Sequence, residues 1–428
     1  MKQLALQPLQ KTVKKQITLP GCIGYTIRAL NIAAMTKGSV TIRNPLKSDD
    51  THYMFSALQT LGIAVEEKEN EFIVHGDISD VEDKDYTINI GLSGRTARSI
   101  LGLLAIVPGV KTVTCSEPFK KRPIGDLVDG LRQLGAKIDY LEAEGHLPVK
   151  ITSSTLHTHS AKMKGTMSSQ YFSSLMMIAP KIGGLMIDVI GEQSSKPFID
   201  MTIAIMKAFG VTVKNETYRQ YHIAPDQTYH NPKTYDVEPE ATAASYFFAI
   251  AAITKSTIRI LHLDPKSAQG DVAFADMLKQ MGCRVTKNTE EKWIEVTGTD
   301  RLEGITLNMN ATPDLVPTLA VVASFAKGKT VMTDIAHVRL KETDRIASPQ
   351  RELAKMGIET EATEDTFIVI GGNPKTATID TYHDHRIAMA FAAVGAKLPG
   401  MRINDPQVVN KSFPNFWEKF EELGIKIV

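Results

Sequence analysis

Apolar residues along the chain follow two alternating periods, one typical of helices and the other of strands. Amphipathic segments that end in a large apolar residue and a glycine are each followed by an extended, hairpin-like segment. Such a glycine suits the left-handed position that closes a helix. The pattern recurs about every 70 residues. The closing glycines are Gly62, Gly135, Gly210, Gly282, Gly357 and Gly424.

A second helix precedes each closing helix and is apolar on nearly every side, which predicts that it lies in the interior of its domain. A short strand follows it, so each repeat is predicted to run helix, strand, helix, strand, strand. The predicted buried helices are residues 27–35, 96–106, 171–179, 242–253, 315–325 and 386–394. The strands after them are 40–43, 113–115, 185–190, 257–261, 330–333 and 401–403. Clear hairpins follow four closing glycines, at 63–75, 136–152, 284–297 and 359–370.

Length and composition predict the number of domains and the classes of partner that the chain can attract. A chain of 428 residues predicts about two or three domains. Lys+Arg number 49 against 48 for Asp+Glu, which excludes a bulk attraction for nucleic acid or membrane. The first residues lack the apolar core of a signal peptide, and the apolar stretches are too short to span a bilayer. The scattered Cys22, Cys115 and Cys283 favour a reducing cytoplasm.

The starts of the six buried helices are rich in small, polar and charged residues. Taken singly, such residues are ordinary N-caps. Six such starts at equivalent positions of the repeats suggest an anion-binding role as well, because helix N-termini present free N–H groups and partial positive charge to anions. If these ends converge, they would hold a phosphorylated or carboxylated ligand. The six starts are residues 21–28, 91–98, 165–170, 238–242, 310–314 and 382–386.

Residues 337–345, His-Val-Arg-Leu-Lys-Glu-Thr-Asp-Arg, form a highly charged loop. It lies between a predicted strand and a predicted helix at 347–356, where functional groups are often placed. The alternative is a solvated charged turn. Neither nucleotide nor metal binding is indicated, since Gly328-Lys329-Thr330 lacks the rest of a P-loop and His383 and His385 lack further ligands at suitable spacing. Cys115 is either a reactive thiolate near lysines or a passive strand-end thiol.

Several of these segments together resemble the EPSP synthase (3-phosphoshikimate 1-carboxyvinyltransferase) family, in the right order from about residue 19 to residue 414. The resemblance implies an α/β fold, a two-domain inside-out α/β barrel of the enolpyruvyl transferase type with three repeats per domain. Residues 1–19 and 237–428 would form one domain and 20–236 the inserted domain, with the active site in the cleft between them. The segments are residues 339–345, 121–125, 168–170, 195–197, 384–386 and 411–414.

The resemblance also implies a reaction. The enolpyruvyl group of phosphoenolpyruvate would pass to the 5-hydroxyl of shikimate 3-phosphate, with release of phosphate, on the shikimate pathway to chorismate and aromatic amino acids. Positioned charge would do this without a metal or organic cofactor. We expect a cytoplasmic monomer that acts on these two small molecules and binds neither nucleic acid nor membrane.

Residue roles carried over from the family divide into three sets. Asp314 matches a base near the hydroxyl, Glu342 a proton-transfer group at C3, and Lys341 a cation close to both substrates. The phosphoenolpyruvate-binding set is Gly94, Arg122, Gln170, Arg345, Arg386 and Lys411. The acceptor-binding set is Arg28, Ser168, Ser169, Gln170, Ser195, Asp314, His337 and Lys341.

The chain departs from the family pattern at two helix starts. Ile23 stands for a lysine that touches both substrates, and Gly24 for a serine that holds the sugar-ring phosphate. Leu92 replaces an asparagine, and Arg95 replaces a threonine. Arg95 could supply part of the missing charge, or both changes could be drift under relaxed selection.

Three functions therefore stay open: an EPSP synthase with an altered pocket, an enolpyruvyl transferase with another acceptor, and a non-catalytic ligand-binding paralogue. The sister family, UDP-GlcNAc enolpyruvyl transferase, fits less well. Ser116-Glu117-Pro118 precedes the 121–125 segment as it does in EPSP synthases, and Cys115 does not match the reactive-loop pattern of the sister family.

Overall fold

The computed structural model describes residues 3–428 of the chain. They divide into two compact units. Unit 1 comprises residues 3–20 and 238–428, and unit 2 comprises residues 21–237. The chain thus enters unit 2 at Gly21 and returns to unit 1 at Glu238.

The described residues form 12 α-helices. Those of unit 2 are α1 (Ile23–Ala34), α2 (Asp49–Thr60), α3 (Gly94–Ile106), α4 (Gly125–Gln133), α5 (Ser169–Ile178) and α6 (Lys196–Ala208). Those of unit 1 are α7 (Ala241–Thr254), α8 (Phe274–Gln280), α9 (Val316–Ala323), α10 (Ala347–Lys355), α11 (His385–Gly395) and α12 (Phe416–Glu422).

The same residues form 24 strands. The first twelve are β1 (Gln3–Gln7), β2 (Lys14–Ile17), β3 (Val40–Arg43), β4 (Ala64–Lys68), β5 (Glu71–His75), β6 (Tyr86–Asn89), β7 (Val110–Thr114), β8 (Lys137–Tyr140), β9 (Val149–Thr152), β10 (Ser160–Lys164), β11 (Leu185–Ile190) and β12 (Lys214–Glu216). The others are β13 (Gln220–Ile223), β14 (Thr234–Asp236), β15 (Thr257–Leu261), β16 (Arg284–Asn288), β17 (Trp293–Thr297), β18 (Thr306–Asn308), β19 (Lys329–Thr333), β20 (Glu359–Ala362), β21 (Phe367–Ile370), β22 (Thr378–Ile379), β23 (Met401–Asn404) and β24 (Lys426–Ile427).

The strands of the described residues build six sheets of four strands, three in each unit, as the six predicted repeats require. In the β6-β7-β9-β8 sheet, β6 runs parallel to β7, and the β8–β9 hairpin adds antiparallel strands. The same order recurs in the other sheets. Each repeat therefore carries a strand before its buried helix as well as the three predicted strands.

The sequence analysis did not predict this additional strand. The strands concerned are short and partly exposed, as in β14 and β18, so they carry little apolar alternation. Two of them lie far along the chain from their sheets, since β14 pairs with β3 and β2 pairs with β15. Likewise β1 pairs with β23 and β24 and fills the place of a hairpin strand in the last repeat.

The predicted burial of the first helix of each repeat is confirmed. All residues of α1, α9 and α11 are buried, and α7 is buried from Ala241 to Ile253. In unit 1, α7, α9 and α11 pack against one another, and in unit 2, α3 packs against α1 and α5. Strands such as β15 bury alternate residues and so turn one face to the core.

Two local predictions can be compared with the backbone. The six closing glycines all have positive φ, between 75° and 109°, which confirms their left-handed role. The predicted helix 315–325 differs, because a 3₁₀ turn (Pro313–Leu315) precedes a shorter α9 that ends at Ala323. Pro313 and Pro317 cannot donate backbone hydrogen bonds, which suits them to the first turns of these two elements.

Candidate active site

In unit 1, the starts of two buried helices carry acidic groups. Asp314 lies in the 3₁₀ turn that leads into α9, and 4% of it is exposed. Asp384 is the N-cap of α11, where its Oδ1 accepts a hydrogen bond from the Arg386 N–H at 2.9 Å. Both positions suit helix starts, because Asp384 accepts a free N–H group and Asp314 lies in a first turn, near the positive end of the helix.

Arg345, at the end of the charged loop, joins three carboxylates. Its Nε and Nη2 donate to Asp384 at 2.8 and 3.1 Å. Its Nη1 donates to Asp314 Oδ1 and its Nη2 to Glu342 Oε2, both at 2.8 Å. Burial alone would lower the pKa of Arg345, but these carboxylates outweigh it and raise that pKa. The guanidinium is therefore a fixed charge at the centre of a buried network.

Further cations complete the network. Arg386 donates from Nη2 to Asp314 Oδ2 at 2.8 Å and from Nη1 to the Tyr246 hydroxyl at 3.2 Å. Lys411 Nζ donates to Glu342 Oε1 at 2.8 Å, and Lys341 Nζ lies 4.0 Å from Asp314 Oδ1. The structure thus brings together the predicted unit 1 residues Asp314, Glu342, Lys341, Arg345, Arg386 and Lys411.

Two histidines border this network in neutral form. Burial, together with Lys341, lowers the pKa of His337 to about 4. Its Nε2 has no hydrogen-bond partner among residues 3–428. Burial, with Arg386 and Lys411, also lowers the pKa of His385 well below its usual range. His337, predicted on the acceptor side, is therefore an uncharged hydrogen-bonding group at neutral pH.

In unit 2, Gly94 and Arg122 lie against each other. Gly94 is the first residue of α3, and a Cβ built on it would lie 3.0 Å from Arg122 Nη1 and 3.1 Å from its Cζ. The absence of a side chain at residue 94 therefore lets the guanidinium approach the helix start closely. Arg122 also lies over the ring of Phe119, with 5.2 Å between Cζ and the ring centroid.

The start of α5 carries the predicted serines and glutamine. Ser168 is the N-cap, and its hydroxyl accepts from the Gln170 N–H at 3.3 Å. Ser169 is the first helical residue, and Gln170 Oε1 accepts from Arg98 Nη1 at 3.2 Å. Ser195 is the N-cap of α6 and has a left-handed φ of 54°. Ser168, Ser169 and Gln170 thus stand at a predicted helix start, and Ser195 stands at the start of another helix.

Arg28 links three helices of unit 2 through neutral oxygens. It donates to Thr202 at 2.8 Å, to Ser173 at 3.3 Å and to the Phe198 carbonyl at 3.1 Å. It also donates to the Gly24 carbonyl at 2.9 Å. Burial lowers the pKa of Arg28 to about 10. An anionic ligand would have to compete with these protein oxygens for the guanidinium of Arg28.

Two of the positions that depart from the family pattern, Ile23 and Arg95, have different environments in unit 2. The side chain of Ile23 is buried in an apolar cluster with Ile27 and Leu46. Arg95 pairs with the buried Asp50 of α2, at 3.5 Å between Nη1 and Oδ2. The cation introduced at residue 95 thus lies beside a carboxylate of its own unit.

Three groups near Arg386, namely Asp384, Tyr246 and Asp271, were not part of the predicted site. Asp384 could have been found, because an aspartate before a buried helix is a strong N-cap signal. Tyr246 lies within an apolar helix and Asp271 within a 3₁₀ turn (Gly270–Ala273), and no local pattern marks either. Their proximity to Arg386 exists only in the folded unit.

Two negative findings apply to residues 3–428. No group of three or more His, Cys, Asp or Glu side chains in this range is placed to hold a metal ion. None of the helices in it has both the length and the apolar character needed to cross a membrane.

Comparison with known proteins gives one family and one fold. Residues 8–420 match the family model for EPSP synthase (3-phosphoshikimate 1-carboxyvinyltransferase). The chain is 38% identical over 429 residues to the 3-phosphoshikimate 1-carboxyvinyltransferase of Sulfurovum sp., covering 99% of this chain and 100% of that one. It is 38% identical over 430 residues to the Shewanella baltica protein of the same name, with the same coverage.

Solved structures agree with this result. The structure of EPSP synthase from Acinetobacter baumannii matches with a TM-score of 0.84 and 25% identity, over 100% of both chains. The enolpyruvyl transferase NikO from Streptomyces tendae matches with a TM-score of 0.76 over 100% of this chain and 98% of that one. At 15% identity this second likeness concerns the fold alone. The predicted enolpyruvyl transferase fold is confirmed.

Proposed function

Because the chain belongs to the EPSP synthase (3-phosphoshikimate 1-carboxyvinyltransferase) family, we propose that it transfers the enolpyruvyl group from phosphoenolpyruvate to the 5-hydroxyl of shikimate 3-phosphate, releasing phosphate. The observation that carries this proposal is the buried network in which Arg345 joins Asp314, Glu342 and Asp384. It combines proton-transfer groups with cations for an anionic substrate, which this reaction requires.

The reaction has two steps. In the first, the acceptor oxygen bonds to C2 of phosphoenolpyruvate, the hydroxyl loses its proton, and C3 gains one to become a methyl group. In the second, the C2–O bond to phosphate breaks and the methyl group loses a proton, which gives the enol ether and inorganic phosphate. The protein must therefore hold four anionic groups and move protons at two places.

Asp314 is the base for the acceptor hydroxyl. Both of its oxygens accept hydrogen bonds, from Arg345 and Arg386. These bonds fix its orientation and favour the carboxylate form, which can take a proton. An anionic substrate that attracts the same arginines would weaken their hold and make the carboxylate more basic.

Glu342 exchanges the proton at C3. Its two oxygens accept from Arg345 and Lys411, at 2.8 Å each. The same argument applies here, because a phosphate or carboxylate of the substrate would compete for these cations. The proton affinity of Glu342 would then rise as the substrate binds.

The proposed phosphoenolpyruvate-binding set includes residues from both units. In unit 1, Arg345, Arg386 and Lys411 are the phosphoenolpyruvate cations. In unit 2, Arg122, with Gly94 and Gln170, belongs to the same set. Guanidinium groups suit these roles because their planar donors match carboxylate and phosphate oxygens.

The acceptor is held by serines and by charge. We assign Ser168, Ser169, Ser195 and Arg28 to shikimate 3-phosphate in unit 2, and His337 and Lys341 in unit 1. We expect no metal or organic cofactor, because positioned cations supply the stabilisation.

We also expect a monomer in the cytoplasm, where reducing conditions would keep Cys115 and Cys283 as free thiols. Burial raises the pKa of the Cys115 thiol and raises that of Cys283 to about 11. This supports a passive thiol at Cys115, because a reactive cysteine needs a lowered pKa.

Phosphate release tests the proposal. The protein should release phosphate from phosphoenolpyruvate only when shikimate 3-phosphate is present. Glu342→Gln should lower kcat by a factor of about 10² to 10⁴ while circular dichroism stays unchanged. Release with another alcohol but not with shikimate 3-phosphate would replace the proposal by a changed acceptor. No release, with either ligand still raising Tm, would replace it by a binding function.

Ile23→Lys tests the departure from the family pattern. A lysine facing phosphate should raise kcat/KM for phosphoenolpyruvate by about tenfold, less than the usual contribution of such a cation because Arg95 adds charge nearby. Ile23→Met is the matched control, since it changes shape in the same apolar cluster without adding charge. Equal rates in both variants would show that residue 23 does not limit the reaction.

A further inference from the structure

A buried carboxyl outside the predicted site lies next to Arg386. Asp271 belongs to the 3₁₀ turn Gly270–Ala273, and only 5% of it is exposed. Its Oδ2 accepts a hydrogen bond from the Thr242 hydroxyl, in the first turn of α7. The preceding Gln269 accepts from the Ala241 N–H at 2.9 Å and donates to the Pro239 carbonyl at 2.8 Å. The turn is thus fixed to the start of α7.

Thr242, which donates to Asp271, and Tyr246, whose hydroxyl accepts from Arg386, are four residues apart in α7, so Asp271 and Arg386 approach the same face of that helix. The charges that act on Asp271 are those of Asp314, Arg386 and Glu240. Asp271 Oδ1 and Arg386 Nε are both buried, and neither has a hydrogen-bond partner among residues 3–428. Arg386 therefore interacts electrostatically with several carboxylates. Among them, Asp314 accepts a hydrogen bond from its guanidinium.

The surroundings of Asp314 are otherwise strongly positive. Arg345 and Arg386 each donate to it, and Lys341 lies 4.0 Å away. His337, which also faces it, is neutral because burial lowers its pKa to about 4. So many cations weaken a carboxylate as a base, whereas a second buried carboxylate nearby strengthens it. Asp271 is in a position to provide this second effect.

Asp271 itself can change charge near neutral pH. Burial, followed by the like charge of Asp314, raises the pKa of Asp271 to about 7. The hydrogen bond from Thr242 and the charge of Arg386 act in the opposite direction. Below that pH the carboxyl is neutral and has no effect on Asp314. Above it, Asp271 is an anion next to the proposed base.

We propose that Asp271 is a positioning residue whose negative charge offsets that of Arg386 and so keeps Asp314 basic enough to accept the proton of the acceptor hydroxyl. This inference rests on the proposed function for its effect on rate. The competing explanation is structural, in which Asp271 only anchors α7 through Thr242. The two explanations differ in what the charge does.

The test compares Asp271→Asn with Thr242→Val. Asparagine keeps the shape and can still accept the Thr242 hydrogen bond, but it cannot become negative. The Thr242→Val variant loses that hydrogen bond and keeps the charge. The measurements are kcat and KM from phosphate release, recorded from pH 5.5 to pH 8.5.

The charge effect predicts a ratio of wild-type to Asp271→Asn kcat that is near 1 at pH 5.5 and rises to about 10 at pH 8.5. The KM for phosphoenolpyruvate should be unchanged or lower in the variant, because the site becomes more positive. Thr242→Val should keep most of the wild-type kcat, and Asp271→Glu should restore part of it. A ratio that does not depend on pH, or a Thr242→Val variant as impaired as Asp271→Asn, would overturn the inference.

A second measurement separates this inference from the proposed function. If the wild-type protein releases no phosphate, the proposed function fails, but the effect of Asp271 on Asp314 can still be measured without turnover. The carboxyl ¹³C resonance of Asp314, assigned with Asp314→Asn, should shift as the pH passes through about 7 in the wild type, where Asp271 becomes an anion, and should not shift there in Asp271→Asn. The same absence of a shift in both proteins would overturn the inference.

Discussion

The two units share one repeat but use their arginines differently. In unit 1, Arg345 and Arg386 donate to the carboxylates of Asp314, Glu342 and Asp384. In unit 2, Arg28 donates to hydroxyl and carbonyl oxygens, and Arg98 donates to the amide oxygen of Gln170. Arg95 differs from these two arginines of unit 2, because it forms an ion pair with Asp50.

This difference indicates a division of work. A cluster of balanced charges can hold carboxylates in fixed positions and still release them to move protons when an anion competes for the arginines. Arginines bound to neutral oxygens keep their net charge and can attract phosphate. The shared fold supplies the helix starts, while the side chains at those starts decide which chemistry each unit supports.

The largest expected effect comes from breaking the charge network of unit 1. Arg345→Gln removes the cation that three buried carboxylates share and should cost about 3–5 kcal/mol of stability. Arg28→Gln should cost about 1–3 kcal/mol, because its partners are neutral and removing a buried charge recovers part of its desolvation cost. Calorimetric and urea unfolding of both variants measures the difference. Equal losses would contradict the contrast between the units.

A smaller effect is expected from the close approach of Arg122 to α3. Gly94→Ala places a methyl group about 3 Å from the guanidinium, which must move by a few tenths of an ångström. We expect KM for phosphoenolpyruvate to rise by about tenfold with little change in kcat or stability. Gly130→Ala in α4 is the control, since the atoms nearest to its Cβ would be in the apolar side chains of Met163 and Leu175. An unchanged KM in Gly94→Ala would argue against a binding role for Arg122.

The smallest effect tests whether Arg95 adds useful charge to unit 2. Arg95→Thr should raise KM for phosphoenolpyruvate by about threefold, because a partly exposed cation contributes on the order of 1 kcal/mol or less. Asp50→Asn removes the partner but keeps the cation, so its KM should stay the same or fall. If Arg95→Thr keeps full affinity, the substitution at residue 95 does not compensate for Ile23.

The family resemblance identified much of the site, but not its connections. Asp314, Glu342 and Arg345 were selected through the family motifs, and the structure places them in one network. The hydrogen bonds between Arg345 and Asp384, and between Arg386 and Tyr246, could not be predicted from spacing. They join residues that are distant in the chain, and only the packing of α7, α9 and α11 makes them neighbours.

The six repeats, the buried helices and the glycines that close the outer helices could all be predicted from the order of residues. These features depend on periodicity and on backbone preferences that act within a few residues. The pairing of β1, β2 and β14 with strands distant in the chain, and the approach of Asp271 and Arg386 to one face of α7, exist only in the folded protein. The reason is that strand pairing and buried electrostatics depend on distances in space, which the order of residues does not specify.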